Sequence, residues 1–303
     1  MKKRLALLFA LVLTIILFGC AVEDEIEAIK VNPDMDGSAK FDEIALLRVM
    51  HDDLEDILQS MVDSRGGQIG ISYLCLTTNR HISINGDALF NAASTSKLPT
   101  HMMIADAVHS GTITWDSYVT FDPSHHEGGT GILQNSIRPG DTVTVGRLVE
   151  LSIVYSDNIA HNMLSSAFVG RGRERMNAFF NRYLPTETTD GTNHLTPNQL
   201  MQLLQILHEG QDEVDGYRRI IEHMSNTAWM DRLYSVRTSN YLSHIIGTFG
   251  SYAHDAGIFH LEHPYILVVM TNAVGGDFIS DISHAVFDLH DELQSFIQSV
   301  NHD

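Results

Sequence analysis

The amino-acid sequence predicts a mixed α/β fold of the α+β type, with an antiparallel sheet flanked by N- and C-terminal helices and an inserted all-helical lobe. Strand-like alternation of apolar and polar residues occurs near both ends of the domain, at 69–84 and 242–271, whereas 94–235 has mainly helical apolar spacing. Strands from distant parts of the chain are therefore expected to pair in one sheet, which the terminal helices cover.

The first 20 residues have the pattern of an export signal. Lys2, Lys3 and Arg4 precede an apolar run at 5–18, which is shorter than a typical membrane-spanning helix. The ending Leu-Phe-Gly-Cys resembles the bacterial lipobox, which implies that Cys20 is lipidated and that the protein is anchored to the outer face of the cytoplasmic membrane. A plain secretion signal and an uncleaved anchor remain alternatives. Residues 21–40 are acidic and lack an apolar face, so they are expected to form a flexible tether to a domain at 41–301.

Charge and cysteine content exclude some classes of function. The formal net charge is −19, and loss of the three leader cations makes it −22, which disfavours nucleic acid as a partner. Once Cys20 carries lipid, only Cys75 is left, and a single cysteine cannot form an internal disulfide. Cys75 lies in an alternating strand pattern and is expected to be a small buried apolar residue. We expect a monomer without a cofactor.

The predicted helices and strands occur along the chain in the order that the predicted fold requires. An amphipathic helix runs from Phe41 to Gly66, and a hairpin with strands at 69–76 and 81–84 comes next. The stretch 91–99 opens a second helix, which ends at Gly111. The remaining predictions are helices at 147–155, 158–168, 197–207 and 278–300, a polar loop at 184–195, and strands at 242–249, 253–260 and 265–271. Thr196 is expected to cap the helix that starts with Pro197.

A serine and a lysine three residues apart, Ser94 and Lys97, form the first candidate site. In a first helical turn this spacing puts the hydroxyl and the amine on one face. A neighbouring amine can take the serine proton only if it is neutral part of the time, which burial can bring about. A Ser-x-x-Lys pattern also arises by chance, so a second group of residues is needed before a catalytic site can be assigned.

That second group is Ser156-Asp157-Asn158, about sixty residues further along and inside the helical insertion. The order Ser-x-x-Lys, Ser-Asp-Asn and then a strand resembles the class A β-lactamase-like serine hydrolases, a group that includes the penicillin-binding proteins. The resemblance covers about 41–301, and the glycine-rich stretches at 127–131 and 250–257 support it.

The resemblance implies a role for each matching residue. Ser94 would attack a carbonyl and become acylated, Lys97 would take its proton or hold the network that does, and Ser156 would pass that proton to the leaving nitrogen. Asn158 would bind the substrate amide and steady Lys97. The remaining implied roles are an inward-turned structural carboxylate for Asp157, an oxyanion hole formed by the backbone N–H groups of Ser94 and Thr248, and close approach of the substrate at Gly247.

Two departures from the family pattern concern recognition and release of the substrate. The third motif should be Lys-Thr-Gly, but the sequence has Ile245-Ile246-Gly247, and hydrocarbon side chains cannot bind a substrate carboxylate. Three nearby cations could replace the lysine: His244, His254 and Arg237. The family also carries a glutamate in a loop that activates the deacylating water. Here Glu187 is the candidate, and a solvated loop acid is the alternative interpretation.

Three functions therefore compete. The first is a lipid-anchored serine hydrolase that acts on β-lactams or related cell-wall amides. The second is a catalytically impaired protein of the same fold that binds cell-wall fragments or an envelope partner, and the third is an enzyme that is acylated and stalls. A metal site at His125-His126-Glu127 is disfavoured, because the spacing is wrong for ligands on a helix.

Overall fold

The structure is a computed structural model, and it describes residues 43–169, 184 and 193–301. These residues divide into two compact units. One contains residues 43–54 and 288–301, and the other contains residues 55–287. The predicted leader, the lipidation site Cys20 and the tether lie outside the described residues, and so does Glu187.

The first unit consists of parts of the two terminal helices. These helices are α1, Glu43–Asp63, and α7, Gly276–Asn301. Within this unit Leu47, Met50 and Leu54 are buried. They recur at three- and four-residue spacing, so they form one apolar helix face, as the sequence predicts. Among the described residues, no helix is long and apolar enough to cross a membrane.

The second unit contains a five-stranded sheet in which every pair is antiparallel. Its spatial order is β2-β1-β9-β8-β7. The strands are β1 (Gln68–Cys75), β2 (His81–Ile84), β7 (Leu242–Phe249), β8 (Tyr252–Phe259) and β9 (Tyr265–Asn272). Strand β1 from the start of the domain pairs with β9 from its end, with Tyr73 opposite Leu267. The prediction of one sheet built from distant parts of the chain is confirmed.

The insertion between β2 and β7 is mainly helical. Its helices are α2 (Lys97–His109), α3 (Val145–Val154), α4 (Asn158–Leu164), α5 (Pro197–Glu209) and α6 (Asp215–Ser225). Helix α5 packs on β1 and β9, and α6 packs on α2 and β7. Thr196 caps α5 as predicted: its hydroxyl accepts from the backbone N–H of Gln199, whose side chain accepts in return from the N–H of Thr196.

Local structure differs from the sequence prediction in several places. Helix α6 was not predicted, and α4 ends at Leu164 although a helix was predicted at 158–168. The chain at Ser94 forms a 3₁₀ turn, Ala93–Ser96, and the α-helix begins only at Lys97. Four short strands were also not predicted, because two or three residues are too few to show a period of two. They form the pairs β3 (Phe90–Asn91) with β6 (His194–Leu195) and β4 (Tyr118–Thr120) with β5 (Thr142–Thr144). Cys75 is buried, as expected.

Candidate active site

Ser94 lies in the 3₁₀ turn that precedes α2. Side chains three residues apart eclipse one another in a 3₁₀ helix, so Ser94 and Lys97 share a face even though the predicted α-helical turn is absent. Ala93 starts this turn with φ +48°, a left-handed conformation that is costly for a residue with a side chain. The Asn91 side chain accepts from the Ala93 N–H at 3.0 Å and helps to hold the turn.

Lys97 is the buried cation of the site, with an exposed fraction of 5%. Its Nζ donates to the Ser156 carbonyl at 2.6 Å and to Asn158 Oδ1 at 2.8 Å, and lies 3.2 Å from Ser156 Oγ. Burial lowers the pKa of Lys97 from 10.5 to about 8, against the opposing effect of the carboxylates of Asp157 and Glu127. A neutral Lys97 is therefore accessible near neutral pH.

Ser156 contacts this amine through both its carbonyl oxygen and its hydroxyl. It is buried and has φ +51°, so its backbone also adopts the left-handed conformation. Two bonds to its carbonyl oxygen hold it there, one from Lys97 and one from the Thr130 hydroxyl at 2.6 Å. When Lys97 is neutral, it can donate to the two acceptors and receive the Ser156 hydroxyl proton on its lone pair. The geometry thus provides a route for a proton between Lys97 and Ser156.

Asp157 is fully buried and stabilises the loop that leads into α4. Its Oδ2 accepts from the backbone N–H groups of Ile132 at 2.7 Å and Leu133 at 2.8 Å, and Oδ1 accepts from that of Ala160 at 3.0 Å. The predicted structural role of Asp157 is confirmed. Gly131 leaves room for this carboxylate, because a Cβ at its φ of +111° would lie 2.3 Å from the Asp157 carboxyl carbon.

Asn158, the first residue of α4, links the lysine to the glycine-rich loop. Its Oδ1 accepts from Lys97, and its Nδ2 donates to the Gly128 carbonyl at 2.9 Å. Gly129 follows with φ +107°, where a Cβ would lie 3.3 Å from Asn158 Nδ2. We call Ser94, Lys97, Ser156 and Asn158 the helical wall of the site.

This wall faces a cleft of about 870 Å³. Five of the predicted site residues line it: Ser94, Lys97, Ser156, Asn158 and Thr248. Strand β7 contributes Ile246 and Phe249 to the lining in addition to Thr248. We call these three residues, together with Arg232, the strand wall.

Gly247, the sixth predicted residue, does not line the cleft. A Cβ at Gly247 would lie 2.9 Å from the Ala92 carbonyl and 3.1 Å from Thr95 Cγ2. The absent side chain thus lets β7 approach the turn that carries Ser94. This contact with the protein's own chain gives Gly247 a structural role, and close approach of the substrate there stays a prediction.

The two isoleucines of the third motif have different environments. Ile245 belongs to the apolar core, whereas Ile246 lines the cleft. Neither side chain can donate a hydrogen bond, so the strand wall has a hydrocarbon surface where the family pattern has a hydroxyl.

The three cations suggested by the sequence do not line the cleft. His244 pairs with the buried Asp255 at 3.0 Å, and the Arg237 guanidinium lies over the Phe287 ring at 5.1 Å. Both ring nitrogens of His254 are bonded within the fold, to the Asn91 carbonyl and the Thr271 N–H. Burial lowers the pKa of His254 to about 4, so it is neutral at pH 7. The expectation that one of them replaces the motif lysine is wrong.

The cation that the strand wall contributes to the cleft is Arg232, which sequence analysis missed. Its Nη2 donates to Thr248 Oγ1 at 2.6 Å, and its Nη1 donates to the carbonyls of Gly247 at 3.0 Å and His254 at 2.7 Å. It is 8% exposed and has φ +63°. Arg232 lies in the segment before β7 rather than in the motif, so the spacing of the motif gave no signal for it.

Three histidines lie near the helical wall, and one of them lines the cleft. His161 lines the cleft, and its ring packs edge-on against that of His101, with 6.3 Å between the ring centres. Burial and the Lys97 cation lower the pKa of His161 to about 3, so it is neutral at pH 7. His125, from the disfavoured metal motif, has a structural contact: its Nδ1 accepts from the Asp122 N–H. The described part of the chain contains no cluster of three potential metal ligands.

Comparison with known proteins assigns the family. The family model described as "Beta-lactamase enzyme family" matches residues 53–290. The chain belongs to this family. Membership supports a hydrolase of the β-lactamase type, and the predicted resemblance is confirmed. A search of curated proteins finds no match.

Solved structures of β-lactamase-family proteins share the fold. "Structure of PBP-A" superposes with a TM-score of 0.72 at 23% identity, covering 79% of this chain and 96% of that one. An ancestral class A β-lactamase gives 0.67 at 21% identity, covering 78% and 99%. The β-lactamase from Sphaerobacter thermophilus DSM 20745 gives 0.65 at 22% identity, covering 74% and 91%. At these identities the likeness establishes the fold alone.

Proposed function

We propose that this β-lactamase-family protein is an extracytoplasmic serine hydrolase that forms an acyl-enzyme through Ser94 on β-lactams or related cell-wall amides. The observation that carries the proposal is the bonding of the buried Lys97 amine to both Ser156 and Asn158, in a cleft that Ser94 also lines. A solved PBP-A variant is described as an acyl-enzyme complex with penicillin G, which supports the same chemistry for this fold.

Each step has a residue to carry it. Neutral Lys97 accepts the proton of Ser94 as Oγ attacks the carbonyl carbon, and the backbone N–H groups of Ser94 and Thr248 stabilise the oxyanion. The C–N bond then breaks, and the leaving nitrogen receives a proton from Ser156, which Lys97 resupplies. Water finally hydrolyses the ester on Ser94, regenerating its hydroxyl and releasing the acid.

Arg232 takes over recognition of the substrate carboxylate in this proposal. Its guanidinium and the Thr248 hydroxyl are joined by a 2.6 Å bond at the cleft, where they present a cation and a donor to the ligand. The Ile245 and Ile246 side chains make no such contact. A guanidinium suits the task because its planar donors match the two oxygens of a carboxylate.

Glu187 is proposed as the base for deacylation, and Cys20 as the site of lipid attachment. The charged, apolar and small residues of the leader support export, and the lipidated N-terminus would hold the protein at the outer face of the bacterial cytoplasmic membrane. The protein would act there as a monomer on small β-lactams or cell-wall peptides, without nucleic acid.

Hydrolysis of a chromogenic β-lactam tests this function. Wild-type protein should release product, and Ser94→Ala should not. Ser96→Ala is the matched control, because Ser96 lies in the same turn but its hydroxyl donates to the Ala93 carbonyl at 2.7 Å. Failure of wild-type protein to cleave any β-lactam or activated acyl ester would remove the hydrolase proposal.

A second candidate function is supported by Ile245 and Ile246. A protein without the Lys-Thr pair could bind cell-wall fragments or an envelope partner without turnover. Saturable binding of such fragments with no product, unchanged by Ser94→Ala, would favour that function. An enzyme that stalls gives a third pattern: the ring-opened β-lactam stays attached to Ser94 as an ester, and no product is released.

A further inference from the structure

A second, smaller cavity adjoins the cleft and is not used by the chemistry proposed above. It measures about 310 Å³ and is lined by Gly129, Thr130, Gly131, Ile132, Tyr155, Ala228 and Trp229. None of these side chains is charged. We call this cavity the Trp229 groove. Trp229, Thr130 and Gly129 line the main cleft as well, so the two cavities adjoin at these three residues.

The position of the groove relates it to the leaving group. Tyr155 directly precedes Ser156, which protonates the leaving atom in the proposed mechanism, and Trp229 lies three residues before Arg232, which binds the carboxylate there. The amine, carboxylate and side chain of an α-amino acid are attached to a single carbon. With the first two held at Ser156 and Arg232 in the cleft, the third can reach the groove across the residues that both cavities share, Thr130 and Trp229.

The walls of the groove are fixed by hydrogen bonds. The Ala228 N–H donates to the Val154 carbonyl at 2.8 Å, which ties the Trp229 segment to the end of α3. The Ile132 N–H donates to the buried Asp157 carboxylate at 2.7 Å, although the Ile132 side chain is 42% exposed. An apolar group can therefore bind here without a large cost for ordering the walls.

We infer that the Trp229 groove receives an aromatic substituent on the leaving group of the acyl donor, and so selects donors that end in an aromatic α-amino or α-hydroxy acid. The inference rests on the proposed function, since it needs Ser94 to be acylated. The common border with the cleft and the uncharged lining identify the occupant: a second charge on the leaving group would find no partner there, whereas a phenyl ring would bury apolar surface against the indole.

Two ester donors with the same N-acylglycyl group test it. One leaves as D-lactate and the other as D-3-phenyllactate, so both retain the carboxylate and differ only in the ring. The wild-type kcat/KM should be roughly tenfold higher for the phenyllactate ester, as expected for partial burial of a phenyl ring. Trp229→Ala, which removes one wall, and Ala228→Trp, which fills the groove, should each bring the ratio close to one.

The control is Val236→Ala, because Val236 is 88% exposed and lines neither cavity. It should keep the wild-type ratio. Turnover of the lactate ester by the groove variants shows that they are folded. Equal kcat/KM values for the two esters in wild-type protein, or an unchanged ratio in both groove variants, would overturn this inference alone. If neither ester is hydrolysed in a Ser94-dependent manner, the proposed function fails, and this inference fails with it.

Discussion

The two walls of the cleft differ in how closely they follow the family pattern. The helical wall keeps every residue type that acylation needs, and Lys97 bonds directly to Ser156 and Asn158. The strand wall has lost the lysine and hydroxyl of its motif and has Arg232 bonded to Thr248 instead. Proton transfer needs groups within hydrogen-bond distance of one another, whereas a carboxylate can be bound by a cation from another segment. The residue that binds the substrate carboxylate can therefore come from a different segment, whereas the residues that transfer protons must keep their positions.

Removing the lysine of the helical wall should have a severe effect. We expect Lys97→Met to lower the rate of acylation by penicillin about a thousandfold, since general bases typically contribute between 10²- and 10⁴-fold. The pH dependence gives an independent measurement. Burial disfavours the charged form, so Lys97 is mainly protonated below pH 8 and mainly neutral above it.

The acylation rate should accordingly rise with pH through about 8, and should fall about fiftyfold between pH 8 and pH 6 as the neutral fraction declines. His161 does not titrate in this range, because its pKa is about 3. Stopped-flow acylation of wild-type protein and Lys97→Met measures both effects. A pH-independent wild-type rate over this range would show that Lys97 is not the base.

The fold of the helical wall can be perturbed without touching its reacting groups. In Gly131→Ala the new Cβ would lie 2.4 Å from Asp157 Oδ2, so the carboxylate that holds the loop must move. We expect a lower Tm and about a hundredfold slower acylation, the effect that a displacement of about 1 Å can have. Gly140→Ala is the matched control, since Gly140 has φ +90° with no atom within 4 Å of an added Cβ.

Gly140→Ala should lose only about 1 kcal/mol of unfolding free energy, from its backbone conformation, and should keep its acylation rate. Equal losses of Tm and of rate in the two variants would contradict the role assigned to Asp157. Thermal melts and acylation by the same penicillin provide the comparison.

The role of the strand wall is tested by removing the charge either from the substrate carboxylate or from Arg232. Wild-type protein should be acylated roughly 10- to 100-fold faster by a penicillin than by its methyl ester, the range expected for a charged hydrogen bond. Arg232→Gln should abolish this preference, and Arg237→Gln should keep it, because Arg237 lies over Phe287 instead of in the cleft. A preference that survives in Arg232→Gln would assign the carboxylate to another group.

A hydroxyl can also be restored to the strand wall. Ile246→Thr places a donor at the surface of the cleft, and we expect acylation by penicillin to become about two- to tenfold faster, as for one neutral hydrogen bond. Ile245→Thr is the paired control: its hydroxyl would enter the core, so stability should fall without a gain in rate. Slower acylation by Ile246→Thr would indicate that the isoleucine itself contacts the substrate.

The contrast between the walls also explains what the sequence could predict. Strands β1, β2, β7, β8 and β9 have clear periodicity, and their predicted bounds agree with the structure to within one residue. The helix bounds agree less well, since α2 begins only at Lys97 and α4 ends at Leu164 instead of residue 168. The helical wall was found because Ser94 and Lys97 are local in sequence and Ser156 and Asn158 follow in a known order. The 3₁₀ turn at Ser94 was missed, since it depends on the close approach of β7 at Gly247.

Arg232 could not be found in the same way. It reaches the site through bonds to three residues of the β7–β8 pair, and the pairing that brings Gly247 opposite His254 is a tertiary property. Trp229 and Tyr155 likewise line one groove from separate segments, which the bond from the Ala228 N–H to the Val154 carbonyl joins. Local spacing identifies groups that act on one another along a helix, but not those that converge from separate segments.

Mass spectrometry of the intact protein, quenched at early times after mixing with a penicillin, tests whether the helical wall still acylates. We predict that wild-type protein gains the mass of one whole penicillin molecule and that peptide mapping places it on Ser94. Ser94→Ala should keep its unmodified mass under the same conditions. A wild-type protein that remains unmodified at every time while the penicillin stays intact, or an equal adduct on Ser94→Ala, would contradict acylation at Ser94.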